Sequence, residues 1–357
     1  MKIKSIELTN FRNYRSYTFE PNEGLNIITG PNGCGKTNLV EAIYYTSVVK
    51  GIKNKKDSDL INENANEFTI SCVVENENST SKLIFYFNKD KNERKVYANN
   101  KQITKLTELN KYGNVLLFVP SYTDLFKNSP QDRRDYFNLC ISKVSNNYYE
   151  NSKKYKTLLK ERNLALKKEQ VDRNLIRSID KQLVAVSKMI VSYRNAYIQK
   201  INAVISSISA QISNKSKKLE LIYIPFVKLD HSFENNLLDL YQKNLDKDIK
   251  TQTTSIGVHK EDFAMNIEGK DISVFGSQAE NRLAMVSLVL SQYFIVKDGA
   301  EKPVVILDDV FSELDEENTK KLINLTKNLS QVFITSTETT ESQYEKKITE
   351  AKQWKKM

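Results

Sequence analysis

The chain has 357 residues, of which 39% are apolar and 27% charged, with a formal net charge of +10. That length accommodates one large or two modest domains around a sizeable core, and no apolar run approaches the roughly 20 residues that a membrane span needs, MVSLVLSQYFIV being the longest candidate. Cys34, Cys72 and Cys140 are an odd number without paired spacing, so neither a disulfide framework nor a zinc site is indicated, and a cytoplasmic protein without membrane association is expected.

The first residues, MKIKSIELTNF, alternate like a strand from Lys2 to Leu8 and carry no signal-peptide core. An apolar run from Leu25 to Ile28 reads as a second strand. It is followed at once by GPNGCGKTN, Gly30 to Asn38, which meets the pattern G-x-x-x-x-G-K-[ST] at Gly30, Gly35, Lys36 and Thr37. Gly33 adds a third flexible point, so that the backbone of Gly30, Pro31, Asn32, Gly33, Cys34, Gly35, Lys36, Thr37 and Asn38 is expected to wrap around phosphate oxygens. Lys36 supplies a cation for the β- and γ-phosphates, and the Thr37 hydroxyl a ligand for Mg²⁺. Apolar Leu39, Ile43 and Tyr44 predict a helix directly after the loop, with its N-terminal dipole toward the phosphates.

Alternating strands follow at Thr69 to Val74 and Leu83 to Phe87, then the apolar VLLFVP at Val115 to Pro120. Beyond this point punctuation disappears, with no Gly between Gly113 and Gly257 and no Pro between Pro130 and Pro225. Tyr148 to Lys168 reads as a helix. Ile176, Ile179, Leu183, Val186, Ile190, Tyr193, Tyr197, Ile201, Val204, Ile208 and Ile212 recur at steps of three or four and predict a second, long amphipathic helix. Residues 129–216 hold 17 Lys and Arg against 7 Asp and Glu, an excess equal to that of the whole chain. The expectation is a basic, antiparallel helical arm at 129–216 inserted into an α/β head formed by 1–128 and 217–357. Basic residues on such an arm suit phosphate contact with DNA that ignores sequence, although a solvated charged face is the plainer reading.

After the arm come LELIYIPFV, then MNIEGKDISVF with a hairpin at Gly269, then a helix from about Glu280 to Val296. In KPVVILDDVFSELD the residues Val304 to Leu307 predict a buried strand, with Asp308 and Asp309 at its C-terminal end, where ligands of open parallel sheets bind. Asp308 is expected to hold Mg²⁺ as the partner of Thr37, and Asp309 to orient or deprotonate an attacking water. Together these features predict an ATP- and Mg²⁺-using P-loop ATPase.

The runs LTNFRNY (Leu8 to Tyr14), GPNGCGKTNLVEAIYY (Gly30 to Tyr45), NSPQDRRDYF (Asn128 to Phe137), GVHKEDF (Gly257 to Phe263), FGSQAENRL (Phe275 to Leu283) and LDDVFSELD (Leu307 to Asp315) resemble, in order and spacing, those of the RecF family of bacterial recombinational-repair ATPases. The resemblance implies an ABC-type head related to SMC heads, a homodimer formed when ATP is bound, binding to gapped or junction DNA, and work with RecR and RecO in loading the recombinase RecA. It also implies that Ser277 is the signature serine offered across the dimer to the other subunit's γ-phosphate. By the same resemblance Ser312 to Asp315 form the D-loop, and Arg12 is the N-terminal arginine that approaches the phosphates. Two departures stand out. Ala279 and Glu280 occupy part of the family's Gln-Gly-Gln-Gln-Arg run, and no histidine follows FITSTE, where Glu338 lies nearby. Two readings therefore remain: a slow ATPase switch on DNA, or a nucleotide-binding scaffold with little turnover that recruits protein partners. His259, in GVHKEDF, reads more readily as a structural histidine than as a functional one.

Overall fold

The computed structural model describes residues 1–52, 56–77, 79–213, 217–296, 301–337 and 345–347. The chain divides into two compact units, the first made of 1–123, 207–216 and 278–357 and the second of 124–206 and 217–277.

The N-terminal segment of the first unit contains β1 (Lys2–Phe11), β2 (Tyr14–Phe19), β3 (Gly24–Thr29), α1 (Lys36–Val48), β4 (Glu67–Asn76), β5 (Ser79–Asn88), β6 (Glu93–Ala98), β7 (Lys101–Gln102) and β8 (Val115–Phe118). Six of these strands form an antiparallel sheet in the order β2-β1-β4-β5-β6-β7. The alternation read at Thr69 to Val74 and Leu83 to Phe87 is the pleat of β4 and β5, whose Ile70, Cys72, Val74, Leu83, Phe85 and Phe87 point into the core. Leu39, Val40, Ile43 and Tyr45 of α1 lie in that core together with Ile28, Val115 and Leu117. Helix and strands thus share one apolar interior, and the loop between β3 and α1 is anchored at both ends.

The second unit contains α2 (Pro130–Val144), α3 (Asn146–Leu166) and α4 (Arg173–Asn202). Next come α5 (Ile205–Ile212), most of which belongs to the first unit, then β9 (Leu219–Ile224), α6 (Phe233–Thr251), β10 (Asp262–Ile267), β11 (Lys270–Asp271) and α7 (Ile272–Phe275). Ser129 and Asp132 close a capping box at the start of α2, with Pro130 in the first turn. The stripe from Ile176 to Ile201 is buried along α4 apart from the half-buried Tyr193, and α4 packs on α3 across a short connection, while Lys153, Lys154, Lys156 and Lys160 remain exposed on α3. β9, β10 and β11 form a three-stranded antiparallel sheet, with the Glu268-Gly269 turn at positive φ.

The unit boundary differs from that expected. Residues 217–277 belong with the helices rather than with the head, because buried ion pairs join the two stretches. Arg162 on α3 donates to Asp180 at 2.6 Å and to Asp248 on α6 at 2.7 Å, and Arg194 on α4 donates to Glu261 at 2.8 Å. Arg133 on α2 makes a two-pronged pair with Asp262 at 2.8 and 2.7 Å. The long helix also stops earlier than its periodicity suggests. The Asn202 side chain exchanges two hydrogen bonds of 2.8 Å with the backbone of Leu221 on β9, and the helical direction is interrupted at Ala203 and Val204.

The C-terminal segment returns to the first unit with α8 (Gln278–Phe294), β12 (Val304–Leu307), α9 (Glu316–Thr326), β13 (Gln331–Ser336) and β14 (Glu345–Lys347). These strands complete a parallel sheet in the order β14-β3-β13-β12-β8. β8, β12 and β13 are buried throughout their length, as strands covered on both faces are. Two carboxamide side chains, Asn26 and Gln331, are among the polar groups buried inside it. Asn26 on β3 accepts from the Asn22 amide at 2.7 Å and donates to the carbonyls of Asn22 and Gly24, and Gln331 on β13 both accepts from and donates to Ile3 of β1 at 2.7 and 2.9 Å.

Candidate phosphate-binding site

The parallel sheet brings the two sequence motifs together. β13 lies between β3 and β12, so the loop that leaves β3 and the carboxylates that end β12 open on the same edge. Between them is a cavity of about 330 Å³, lined by Asn32, Gly33, Gly35, Lys36, Thr37 and Asn38 from the loop, by Asp308 and Asp309, and by Val119, Pro120, Ser121, Thr335 and Thr337 from neighbouring strand ends.

Gly35 holds φ 109° at the start of α1, and a Cβ there would meet Asn13 Nδ2 and the Tyr14 hydroxyl oxygen at 2.7 Å, so the position admits glycine alone. The Tyr14 hydroxyl donates to the Gly35 carbonyl at 3.0 Å, and burial raises its pKa so that it stays protonated. Asn38 donates to Asn13 at 2.8 Å. Lys36 is 9% exposed, and its ammonium donates to the carbonyls of Gly30 and Pro31 at 2.7 and 2.9 Å, which folds the charge over its own loop. Across the cavity the Thr37 hydroxyl donates to the Asp308 carboxylate, 3.0 Å from Oδ1. Lys36, Thr37, Asp308 and Asp309, separated by some 270 positions in the chain, thus face one space.

Arg12 is placed differently. Its backbone has φ 53°, and its guanidinium grips the buried Glu41 of α1 through Nε at 2.8 Å and Nη2 at 3.1 Å, while Nη1 donates to the Asp59 carbonyl at 3.0 Å. Glu41 also accepts from the Ile52 amide at 2.8 Å. Arg12 is absent from the lining of the cavity.

A family model described as the RecF/RecN/SMC N-terminal domain matches residues 2–356. The DNA replication and repair protein RecF of Clostridium novyi (strain NT) is 33% identical over 338 residues, covering 94% of this chain and 93% of that protein. Its counterpart in Clostridium botulinum (strain Loch Maree / Type A3) is 36% identical over 327 residues, with 91% and 89% covered. A solved structure of the recombination mediator protein RecF with ATP, described as part of the RecFOR pathway, superposes with a TM-score of 0.86 at 30% identity, covering 96% of this chain and 93% of that one. The chain belongs to the RecF family. An SMC head bound to the C-terminal winged-helix domain of ScpA, at 16% identity and a TM-score of 0.56, shares the fold alone.

Ser277 and the stretch Ser312 to Asp315, also singled out by RecF resemblance, fall outside the cavity lining. Ser277 is exposed immediately before α8, whose first turn carries Ala279 and Glu280. Arg282, one turn further on and buried, donates to the Asp309 carbonyl and to the Ser312 hydroxyl, both at 2.8 Å, and so ties α8 to the stretch Ser312 to Asp315. Glu338 lies outside the described residues. His259 has a partner for each ring nitrogen. A carbonyl can only accept, so its Nε2–H donates to Thr254 at 3.1 Å and its Nδ1 accepts from the Tyr155 hydroxyl at 2.7 Å. Burial lowers its pKa to about 4, which keeps the ring neutral. Among the described residues no group of three or more His, Cys, Asp and Glu side chains is arranged to hold a metal, and no helix is long and apolar enough to cross a membrane.

Sequence reasoning passed over Glu41 and Thr335. Thr335 had a signal, since any polar residue closing a buried parallel strand beside a phosphate loop faces the same edge as the site. Glu41 had a weaker one, a carboxylate on a helix whose neighbours are otherwise apolar.

Proposed function

We propose that this chain is an ATP-binding protein of recombinational DNA repair that closes into a homodimer on Mg²⁺-ATP, holds gapped or junction DNA in that state, and lets go after slow hydrolysis. The observation that carries the reading is the convergence of the Lys36 loop and the Asp308-Thr37 pair on one cavity. Support comes from the RecF relatives, one of them solved with ATP and described within the RecFOR pathway. RecR, RecO and a recombinase are the partners this reading brings with it.

The Thr37 hydroxyl and an Asp308 oxygen are hard donors 3.0 Å apart. Mg²⁺ takes hard oxygen donors of this kind, so the residues present fit that ion. Held there by Thr37 and Asp308, Mg²⁺ would supply neutralisation of phosphate charge. The chain's own part is to cradle phosphate oxygens with the loop amides and the N-terminal end of α1, to add the Lys36 charge, and to hold a water for attack with Asp309. Ser277, exposed ahead of α8, is the group this reading offers to nucleotide on a second copy.

Mass measurement with and without Mg²⁺-ATP tests the dimer. A doubling of mass with ATP is expected, and a mass that stays monomeric at saturating ATP overturns the proposed switch. Ala279 and Glu280 in the first turn of α8 favour a second reading, a scaffold that binds ATP and recruits proteins with little turnover, because glycine is replaced and negative charge added where a γ-phosphate is to be met. ATP turnover with and without gapped DNA separates the two. Stimulation by DNA supports the switch, and negligible turnover in both supports the scaffold.

A further inference from the structure

Thr335 has no place in the phosphate-loop pattern or in the carboxylate pair, yet it touches both carboxylate residues. The parallel register pairs Leu307 of β12 with Ile334 of β13, so Asp308, just past the end of β12, comes beside Thr335, which is still within β13 and paired with Ile28 of β3. Thr335 is 1% exposed. Its hydroxyl accepts from the Asp309 amide at 2.8 Å and donates to Asp308 Oδ1 at 2.7 Å. A hydroxyl has one proton, and an amide can only donate, so the direction of both bonds is fixed. Asp309 meanwhile holds φ 49° and ψ 40°, a left-handed conformation that residues other than glycine adopt sparingly unless the surroundings impose it.

We infer that Thr335 is the positioning residue of the carboxylate pair. One bond turns Asp308 so that its carboxylate meets the Thr37 hydroxyl. The other holds the Asp309 backbone in the left-handed turn that brings the residue to the cavity wall. Because the same side chain serves both, the metal-ligand position and the water-orienting position are set by a single group on a third strand. Neither aspartate chooses its direction alone. Buried partners that orient a metal ligand act in this way generally, by fixing direction rather than by touching the ion. The inference rests on the Mg²⁺-ATP reading of this cavity, and it extends that reading to a residue outside both motifs.

The test compares Thr335→Val, which keeps the shape and removes both bonds, with Thr335→Ser, which keeps both bonds and removes a methyl group. Mg²⁺ is titrated against an ATP carrying a fluorescent tag on its ribose, and the Mg²⁺ concentration of half-maximal binding is read for each protein. A second titration in EDTA gives the metal-free affinity. The valine variant is expected to need about 10- to 100-fold more Mg²⁺, the usual loss when such a supporting group is removed. Its affinity in EDTA is expected to match wild type, and the serine variant to restore the Mg²⁺ requirement. Valine with a wild-type Mg²⁺ requirement overturns the inference. So do equal shifts in valine and serine, or a parallel loss of affinity in EDTA, since each shows a side chain that acts by packing. Wild-type binding that ignores Mg²⁺ altogether removes the Mg²⁺-ATP reading itself, and is seen before any variant is compared.

Discussion

Replacing Lys36 by Ala removes the one ammonium that, among the described residues, lines the cavity. In the structure Lys36 is 9% exposed, and its ammonium spends two hydrogen bonds, of 2.7 and 2.9 Å, on the carbonyls of Gly30 and Pro31. Turning the same two donors toward phosphate oxygens replaces neutral acceptors with charged ones. Two charge-assisted bonds at the lower end of their range are worth about 3–4 kcal/mol. That is roughly 200- to 900-fold in Kd. Thermal or denaturant unfolding with and without Mg²⁺-ATP converts the loss into a measurable difference. At ATP one hundred times the wild-type Kd, the wild type gains about 2.7 kcal/mol of stability, whereas a variant weakened by that factor gains less than about 0.3 kcal/mol. Measuring each protein against its own ATP-free baseline removes the cost of the two lost loop bonds. A Lys36→Ala variant that keeps the full ATP-dependent gain refutes the assignment of this loop to phosphate.

Asp309→Asn is expected to bind Mg²⁺-ATP normally while single-turnover hydrolysis falls by about 100-fold or more, the scale of a lost general base, and unchanged turnover would hand the water to another residue. Neutralising the exposed Lys153, Lys154 and Lys156 together is expected to weaken DNA binding alike for all sequences and to reduce the salt slope by up to about three units, whereas an unaltered slope marks a merely solvated face. His259 has a folded-state pKa lowered to about 4 against an ordinary value of about 6.5, so the unfolded chain takes up the proton first as pH falls. Its contribution to stability is present above about pH 6.5 and lost on descending toward pH 4. The difference in unfolding free energy between wild type and His259→Asn should shrink over that window, and a constant difference would deny the burial of the ring.

What sequence could deliver followed the range of the interactions involved. The loop from Gly30 to Thr37 was legible because phosphate binding by backbone amides and one lysine is encoded within eight consecutive residues. The strand at Val304 to Leu307 and the turn at Gly269 were legible for the same reason, since burial of a short apolar run and a positive-φ glycine are local facts. Arg12 was legible as a residue to watch but not in its position, because its partner Glu41 sits on a helix that folds back over it and the pairing carries no spacing rule. The extent of the second unit was hidden in side chains that meet across long separations. Arg162 finds Asp248 86 positions away, and nothing in the alternation of β9 or β10 says against which surface those strands will lie. The end of α4 was hidden for a related reason. Neither Gly nor Pro breaks the periodic stripe, and the interruption comes from the Asn202 amide bonding to a strand that follows later in the chain.

Asn26 and Gln331 bear on a weakness inherent in the parallel sheet. Where a strand is apolar on both faces, sliding it by one or two residues exchanges one greasy side chain for another, and burial alone scarcely notices the error. A buried carboxamide does notice, because a slip strands its donors and acceptors away from their partners. Asn26 fixes β3 against the turn that precedes it, and Gln331 fixes β13 against β1 of the other sheet. These two strands deliver, at their far ends, the phosphate loop and Thr335. The polar pair works as a vernier set at the opposite end of the sheet from the chemistry, and the alignment of the site to within ångströms is inherited from amides that never come near it.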